Sequence, residues 1–596
     1  MSMKKAVVSL LAVAMLAACG TDTSAGEPAA TDATEPEGTA EVVEFESTLF
    51  PTPAGVTYTA ASYNAAAPDW SEYDALINEI KTTTDVDNRV QLMHQAEDIL
   101  MGTGAVIPLY YYNDIYLQKT DVSGIYANLF GFKWFAFATT PRDVLKVNLA
   151  SEPAKIDPAL NSSVDGACLD VNLFAGLYTY DEAGELTPDL ADPENPYDLS
   201  EDGMTYTFHL IESKWSDGSE VTANDFVYAW NRVADPETGA DYQYMFDAIA
   251  RNDDDTLAVT AIDDYTLEVV LGSPCAYFLD LAAFPAYLPV KQSAVEAADP
   301  EGINPGAWAS EAGFITNGAY TVDAWAHEES MVFKKNPNYH RADDVTIEEI
   351  DFMLSADDTA IYAAFQSDNL DFADTVPNNE IQAAMQTPEF NIIGNLGTYY
   401  AAWNVNSPIF AGKTVEQANA MRKAFSLLID RQYICDTVGQ TGQVPATSFL
   451  PAGMADGNGG IFKDASAYSY PNGEDGYYPV DVTDTNIEEA IALLEFAGYE
   501  FVDGKLSDAT PINVTYLTND GSGHIAAAES MQSDFAVIGI GMTIETQEWA
   551  VFLDERKAGN FDFAREGWLA DFNDPINMLE MWTSNSGNND CQFGKN

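Results

Sequence analysis

The sequence predicts an α/β fold built in more than one lobe. From about residue 144 onward, stretches in which polar and apolar residues alternate like strands are followed by stretches with helical periodicity. The roughly 540 residues that follow residue 56 are too many for one hydrophobic core, which rarely grows beyond about 250–300 residues. A hydrophobic content of 46% and an aromatic content of 12% supply enough apolar side chains for two or more cores.

Five segments show this alternation in order along the chain. They are VLKVNLA (144–150), a strand; NLFAGLYTYDEAGELTPDLA (172–191), a helix followed by a strand and a turn; TYTFHLIESKWSDGSEVTANDFVYAWNRVADPETG (205–239), a strand and then a helix; DYTLEVVLGSPCAYFLDLAAF (264–284), again a strand and then a helix; and GFITNGAYTVDAWAHEESMVFKKNPNYH (313–340), a pair of strands. In the third segment the helix is expected to begin at Thr222, whose hydroxyl can cap the first amides of ANDFVYAW.

A further strand pattern comes unexpectedly early. GAVIPLYYYND (104–114) is apolar and aromatic, which is typical of a buried strand, and it follows a strongly helical passage at residues 72–101. Almost all residues before that helical passage belong to the amino-terminal apolar run or to a polar stretch, and neither is expected to supply a strand. The sheet partners of this strand must therefore lie far downstream.

The amino-terminal residues predict a secreted lipoprotein. Lys4 and Lys5 precede an apolar run of 13 residues at 6–18, and Cys19 follows at once. Such a run is too short to cross a bilayer, which takes roughly 17–25 residues, and it is typical of a secretory signal peptide. A cysteine at the cleavage position indicates that Cys19 becomes the lipidated first residue. The alternative is an ordinary signal peptide with a cysteine there by chance.

Residues 20–56 are predicted to be a disordered acidic tether. Residues 20–47 are rich in Ala, Thr, Glu and Pro and contain neither Lys nor Arg. Such a composition cannot bury enough apolar surface to offset the entropy of ordering. We expect the lipid to hold the folded body on the outer face of the bacterial cell membrane, as its only attachment to the membrane.

Charge and motif content exclude several classes of function. The formal net charge is −68, from 94 acidic and 26 basic residues, and a field of that sign repels the phosphates of nucleic acids. It favours cationic ligands, although an acidic solvated surface is the simpler explanation. The histidines and cysteines are scattered, without a CxxC, HExxH, GxSxG or phosphate-loop motif. We expect no metal, no cofactor and no catalysis, and one or two disulfides among the cysteines after Cys19 are left open.

Seven motifs in the body resemble a known family. In order from about residue 143 to 596 they are SEPAKIDPAL, NLFAGLYTYDEAGELTPDLA, DGMTYTFHLIESKWSDGSEVTANDFVYAWNRVADP, TNGAYTVDAW, KKNPNYH, MRKAFSLLIDRQYI and FDFAREGWLADFNDP. Together they resemble the extracytoplasmic oligopeptide-binding proteins of ABC importers, solute-binding protein family 5. The resemblance implies a periplasmic-binding-protein-like class II fold, in which two large lobes on a hinge and a smaller third lobe close over an extended peptide. It implies a binding protein, not an enzyme, that delivers its peptide to an importer permease.

The order of the segments departs from the family in one place. The part that resembles residues 57–140 normally follows the part that resembles residues 567–590, whereas here it precedes the whole body. The chain therefore looks like a circular permutant of its family. Two alternatives stay open: these residues complete a neighbouring molecule in a domain-swapped dimer, or the chain comes from a rearranged gene and folds poorly. A monomer is the first expectation.

The predicted organisation follows from the permutation. The segments are 1–19, the signal peptide; 20–56, the tether; 57–113, the permuted segment that completes the C-terminal lobe; 114–185, the first part of the first lobe; 186–272, the small extra lobe; 273–397, the second part of the first lobe; and 398–596, the C-terminal lobe.

The resemblance also implies which residues meet the ligand. Asp571 matches an aspartate that holds the α-ammonium group of the peptide. Arg565 and Arg556 match basic residues that meet the terminal carboxylate of shorter peptides, and His524 matches a histidine that does so for a longer one. Aromatic residues that resemble pocket walls or lie near the hinge strand are Trp549, Trp568, Tyr320, Tyr399 and Tyr400. Surface ion pairs for the arginines and core packing for the aromatic residues are the alternative roles.

Departures from the family limit what the resemblance implies about the cargo. Ser426 stands where some relatives place a lysine for the peptide carboxylate, and Ala175 stands where many have glutamate. Leu569 and Gly397 replace a cysteine pair known in some members. The preferred peptide length is therefore open, and the alternative ligands are a dipeptide, a metal complex, haem or a signalling peptide. A surface protein without a role in transport is a further alternative.

Overall fold

The computed structural model describes residues 45–149, 151–457, 459–464, 468–473 and 476–595. The predicted signal peptide, Cys19 and residues 20–44 lie outside these ranges. Residues 45–56 are packed against the body: Phe50 is fully buried with its ring 5.0 Å from that of Tyr478, and the amide of Leu49 donates to Glu489 at 2.8 Å. Leu49 and Phe50, which the sequence places in the predicted tether, therefore contact the folded body.

The helices match the apolar periodicity of the sequence. In chain order they are α1 (Ser71–Thr82), α2 (Val86–Gly102), α3 (Val164–Leu173), α4 (Ala223–Ala234), α5 (Phe278–Leu281), α6 (Gln292–Ala298), α7 (Asp358–Gln366), α8 (Ile381–Ala384), α9 (Val415–Leu428), α10 (Arg431–Tyr433), α11 (Asp484–Phe496), α12 (Ser522–Ala536), α13 (Trp549–Lys557) and α14 (Pro575–Glu580). Thr222 is the N-cap of α4, as predicted, and its own amide donates to the carboxylate of Asp225 at 2.7 Å.

The strands form one large mixed sheet and several small ones. In chain order they are β1 (Ala60–Ala61), β2 (Asn64–Pro68), β3 (Val106–Gln118), β4 (Tyr126–Ala127), β5 (Lys133–Trp134), β6 (Val144–Asn148), β7 (Tyr178–Tyr180), β8 (Leu186–Pro188), β9 (Tyr197–Leu199), β10 (Thr205–His209), β11 (Ser213–Lys214), β12 (Glu220–Val221), β13 (Val259–Asp263), β14 (Thr266–Val270), β15 (Tyr320–Ala326), β16 (Ser330–Lys335), β17 (Glu349–Met353), β18 (Phe372–Ala373), β19 (Phe390–Trp403), β20 (Val444–Pro445), β21 (Phe501–Val502), β22 (Lys505–Leu506), β23 (Asn513–Asn519), β24 (Gly541–Gln547) and β25 (Phe563–Leu569).

The large sheet has 11 strands and places the early strand β3 near its middle. Its order is β15-β16-β17-β6-β18-β3-β19-β25-β23-β24, with β20 paired to β3 off this path. β3 runs antiparallel to β19 along nearly its whole length. The strand predicted from GAVIPLYYYND thus has its sheet partners far downstream in the chain, as expected. A separate four-stranded antiparallel sheet has the order β13-β14-β10-β9.

The two helices before β3 pack against the C-terminal part of the chain. Tyr73 of α1 donates from its hydroxyl to the carbonyl of Leu579 at 2.9 Å, and Arg89 of α2 forms an ion pair with Asp574 at 2.7 Å. Just before α1, the ring of Trp70 stacks on that of Phe593 at 3.9 Å. Residues near the start of the body therefore lie against residues near the end of the chain.

The cysteines and the membrane prediction can be checked over part of the chain. Cys168, Cys275, Cys435 and Cys591 are free, so the disulfides that the sequence left open do not form among the described residues. Within those residues, no helix is both long enough and apolar enough to cross a membrane.

Candidate functional site

A cavity of about 520 Å³ lies beside β3 and β25. Seven of the nine predicted ligand-binding residues line it: Asp571, Arg565, Arg556, His524, Trp568, Trp549 and Tyr400. The early segment also contributes to its wall, through residues 112–115 and residues 130–133 among others. Side chains that are far apart in the sequence thus meet around one space.

Along this cavity, β25 has an edge with no strand beside it. β19 pairs with β25 over its whole length, whereas β23 pairs with it only at Phe563 and Ala564. Residues 565–569 all line the cavity, and no other strand of the described residues pairs with them on that side. In an antiparallel pair, backbone N–H and C=O groups point alternately toward and away from the partner strand. The groups that point away from β19 are therefore available to an added strand.

The carboxylate of Asp571 lies in this cavity without a cation. Its side chain accepts hydrogen bonds from Tyr242 Oη at 3.2 Å and from Asn577 Nδ2 at 2.9 Å, and the residue is only 5% exposed. Burial raises the pKa of Asp571 to about 7, against the opposing effect of these two hydrogen bonds. Among the described residues no Lys, Arg or His forms an ion pair with it. A buried carboxylate in this state can accept an ammonium group from a ligand.

The guanidinium of Arg565 also has no carboxylate partner among the described residues. It lies over the rings of Tyr399, at 5.3 Å, and Trp549, at 5.5 Å, and its Nε makes no hydrogen bond. Burial acts to lower the pKa of Arg565, but neighbouring groups, chiefly Tyr112 and Tyr399, raise it above its ordinary value. Arg565 is therefore a buried, charged donor that can receive a carboxylate.

His524 sits next to this arginine and is neutral. Its Nδ1 lies 3.0 Å from the hydroxyl of Tyr399, and the two rings stack at 5.6 Å. Burial lowers the pKa of His524 well below 6.5, and the charge of Arg565 lowers it further. With the Tyr399 hydroxyl donating to Nδ1, the proton stays on Nε2, so His524 can donate a hydrogen bond but cannot form an ion pair.

Arg556 lines the cavity but already has two partners. Its Nη1 lies 2.8 Å from Oε2 of Glu566, and its Nε lies 2.7 Å from Oδ2 of Asp590. Unlike Arg565, it is neutralised by protein carboxylates. The alternative role of an ion pair, which the sequence left open for both arginines, therefore applies to Arg556, although the pair is buried and not on the surface.

Two of the predicted aromatic residues do not line the cavity. Tyr320 is fully buried in β15, where it is paired with Lys335 and its ring lies 6.2 Å from that of Phe333. In this structure Tyr320 packs in the core, which is the alternative role that the sequence left open for the aromatic residues. Tyr399 does not line the cavity itself, but it contacts two residues that do, His524 and Arg565.

Sequence reasoning missed a second charged group in the wall. Lys133 of β5 is almost fully buried, and its Nζ lies 2.7 Å from Oδ2 of Asp114 and 3.1 Å from Oδ1 of Asp374. Burial raises the pKa of Asp374 to about 7, and Lys133 acts against that rise. These three residues come from distant parts of the chain and form no motif. Over the described residues, no group of three or more His, Cys, Asp or Glu side chains is arranged to hold a metal ion.

Tyr112 of the early segment packs directly against β25. A Cβ atom added to Gly567 would lie 2.1 Å from the Tyr112 hydroxyl oxygen, so Tyr112 or the strand would have to move. An aromatic side chain of β3 thus lies on one face of β25, and both residues line the cavity.

A family model and individual relatives assign the chain to the same protein family. Residues 185–590 match the model described as bacterial extracellular solute-binding proteins, family 5 Middle. The chain is 30% identical over 467 residues to the oligopeptide-binding protein OppA of Bacillus subtilis, covering 75% of this chain and 79% of that protein. It is 32% identical over 467 residues to the periplasmic oligopeptide-binding protein OppA of Escherichia coli, covering 76% and 79%.

Solved structures show the same similarity. Haemophilus influenzae OppA in complex with the peptide RPPGFSPFR is 29% identical, with a TM-score of 0.63 over 76% of this chain and 85% of that chain. The murein tripeptide-binding protein MppA of Escherichia coli is 28% identical, with a TM-score of 0.64 over 76% and 84%. These similarities confirm the predicted α/β fold of the periplasmic-binding-protein type.

Proposed function

Because the chain belongs to family 5 of the bacterial extracellular solute-binding proteins, whose members bind solutes and are not enzymes, we propose that it captures oligopeptides outside the cytoplasm and delivers them to an ABC importer permease. Capture occurs by closure of two lobes over the extended peptide, a hinge motion that the ligand biases.

The observation that supports this proposal most directly is the open edge of β25. An extended peptide in the cavity can pair its backbone with residues 565–569 as an added strand. Backbone pairing is independent of the peptide's side chains, so it suits cargo of mixed sequence. The names of two similar proteins, one in complex with a nonapeptide and one called a murein tripeptide-binding protein, point to the same class of ligand.

The two ends of the peptide have complementary charged partners in the cavity. Asp571 receives the α-ammonium group, because it is a buried carboxylate without a cation among the described residues. Arg565 receives the α-carboxylate by a charge-assisted pair, and His524 adds a neutral hydrogen bond from Nε2 when the peptide is longer. Arg556 is not a carboxylate receptor, since Glu566 and Asp590 already hold it.

We further propose that residues 57–140 are the carboxyl-terminal portion of the family fold, moved to the front of the chain. β3, which lies in this segment, is inserted between β18 and β19 of the large sheet, and it helps to line the cavity. The lipid on Cys19, joined through residues 20–44, would anchor this monomer to the outer face of the membrane.

Calorimetric titration with matched peptides tests the proposal. A mixed-sequence library of peptides three to nine residues long identifies a binder, which is then compared with its N-acetylated and its C-amidated forms. Acetylation removes the α-ammonium group and should weaken binding about 10- to 100-fold, since a hydrogen bond between charged groups contributes about 1.5–3 kcal/mol. Failure of every free peptide to bind, or equal binding of the free and acetylated forms, would contradict the proposal.

A further inference from the structure

One cluster of charged side chains in the cavity wall contains two carboxylates but only one cation. Arg556 lies between Glu566 of β25 and Asp590, with one oxygen of each carboxylate in the ion pair. The second oxygens, Oε1 of Glu566 and Oδ1 of Asp590, are buried and have no hydrogen-bond partner in the structure. Glu566 is 2% exposed and Asp590 is 4% exposed, and both line the cavity.

The charges of this group do not balance. One guanidinium faces two carboxylates, so the ionised group has a net charge of −1 in a site shielded from water. Burial raises the pKa of Glu566 well above its ordinary value, although Arg556 opposes that rise. Buried carboxylates are normally paired and fully hydrogen-bonded, because an unsatisfied buried oxygen costs free energy. In the unliganded protein a proton on Glu566 neutralises the group, and a cation with N–H donors can replace that proton.

The nearby cations among the described residues, Lys595, Lys557 and Arg565, have other partners. Lys595 donates from Nζ to the carbonyl of Asn589 at 3.2 Å and forms no ion pair with Asp590. Lys557, the next residue to Arg556, points elsewhere: its Nζ lies 2.8 Å from Asp241 and 3.2 Å from Asn588. Arg565 precedes Glu566 in β25, and successive side chains of a strand point to opposite faces. Its guanidinium accordingly lies over Tyr399 and Trp549.

From this geometry we infer that Glu566 and Asp590 form a subsite for a Lys or Arg side chain of the bound peptide. The inference rests on the proposed peptide-binding function and specifies its cargo as peptides with a basic residue. The ammonium or guanidinium group donates to Oε1 of Glu566 and Oδ1 of Asp590. Tyr400, which is paired with Glu566 across the ladder, and Met581 also line the cavity and can pack against the aliphatic stem.

The distance from Asp571 to Glu566 limits which position of the peptide can use the subsite. Glu566 and Asp571 are five residues apart, so their Cα atoms are separated by at most about 17 Å at about 3.4 Å per residue. An extended peptide with its α-ammonium group at Asp571 spans that distance with about five residues. The basic side chain therefore belongs to one of the first five positions.

The test compares lysine with norleucine, which has the same stem without the ammonium group. Pentapeptides that differ only at one position, from the first to the fifth, are titrated against the wild-type protein. At one position the lysine peptide should bind about 10- to 100-fold more tightly, the range expected for a hydrogen-bonded charge in a buried site. Equal affinity of the lysine and norleucine peptides at every position would overturn the inference.

Variants of the two carboxylates then test whether the preference for lysine arises at this subsite. Glu566→Gln and Asp590→Asn should each reduce the lysine preference below about threefold. The preference is the ratio of the lysine and norleucine affinities measured on the same variant, so a general loss of binding cancels, and circular dichroism checks that each variant is folded. Glu545→Gln, the same chemical change on exposed β24 outside the cavity, should preserve the full preference. A Glu566→Gln protein that loses affinity for both peptides equally would assign Glu566 a structural role and reject the subsite. Wild-type protein that binds neither peptide would reject the proposed peptide-binding function itself.

Discussion

The hydroxyl of Tyr242 donates a hydrogen bond of 3.2 Å to Oδ1 of Asp571, although 329 positions separate the two residues in the chain. Asn577 donates to the other oxygen at 2.9 Å. Two neutral donors orient this carboxylate toward the cavity but supply no positive charge. Burial therefore dominates and raises the pKa of Asp571 to about 7. Two predictions depend on this value.

Peptide affinity should rise with pH until Asp571 is ionised. Below about pH 7 the free protein holds a proton on Asp571, and binding of an α-ammonium group must first displace it. Affinity for a peptide with a free amino terminus should therefore fall by up to about tenfold for each pH unit below 7. Calorimetry from pH 5 to 7.5 measures this slope. In the Asp571→Asn protein any residual binding should be flat over the same range, and an equal slope in both proteins would contradict the assignment.

The Asp571→Asn substitution should lose binding but stabilise the unliganded protein at alkaline pH. A folded-state pKa of about 7, against the ordinary value of 3.8, means that the stability contributed at low pH is lost as the pH rises toward 7. Above pH 7 the ionised carboxylate is a burial cost of up to about 4 kcal/mol, and asparagine removes it. Urea unfolding at pH 5 and pH 8 should show the variant gaining free energy of unfolding relative to wild type between the two values. No relative gain would show that Asp571 is not desolvated.

Sequence motifs located the cavity better than they described its chemistry. Asp571, Arg565 and Trp568 belong to one motif, and a short stretch of strand brings them to the cavity together. The partners of Arg556 could not be predicted, because Asp590 is remote from it in sequence and only the tertiary fold brings the two into contact. The same holds for Lys133 and its two acids.

Tyr320 shows a second limit of reasoning from a motif. The sequence correctly predicts a strand there, but alternation alone does not say which face of the sheet looks into the cavity. Tyr320 is fully buried against Phe333. The early strand had the opposite outcome: its apolar pattern predicted distant sheet partners, and β3 pairs with β19.

Gly567→Ala should weaken peptide binding because the added methyl group would collide with Tyr112. The added Cβ would lie 2.1 Å from the hydroxyl oxygen of Tyr112, so either the Tyr112 side chain or β25 must shift, and both line the cavity. We expect at least about a tenfold loss of affinity, since overpacking costs about 1–3 kcal/mol. Tyr112→Phe in the same protein removes the closest atom and should restore part of the loss. Gly394→Ala in β19, where nothing lies within 4 Å of the new Cβ, is the control and should bind normally.

A rearranged chain should fold and bind like the natural one. In this chain residues 141–595 come first and residues 57–140 follow through a short flexible linker. The reference chain of natural order likewise begins at residue 57, so that both lack the contact of Phe50 with Tyr478. The linker has little distance to span, because Asn406 joins both ends: it accepts from Asn64 Nδ2 at 3.0 Å and donates to the carbonyl of Lys595 at 2.8 Å. The contacts made by β3 are unchanged by the new order, so the melting temperature should stay within a few degrees and peptide affinity within about threefold.

A second rearranged chain tests whether the position of the new ends matters. This chain, which opens between Tyr110 and Tyr111, would divide β3 in the middle of the large sheet, where it pairs with both β19 and β20. We expect that protein to be insoluble or unable to bind peptide. Light scattering should find both the natural chain and the first rearranged chain monomeric. A natural dimer that becomes a monomer on rearrangement would instead show that residues 57–140 are exchanged between two molecules, because only the new order would place the segment within reach of its own chain.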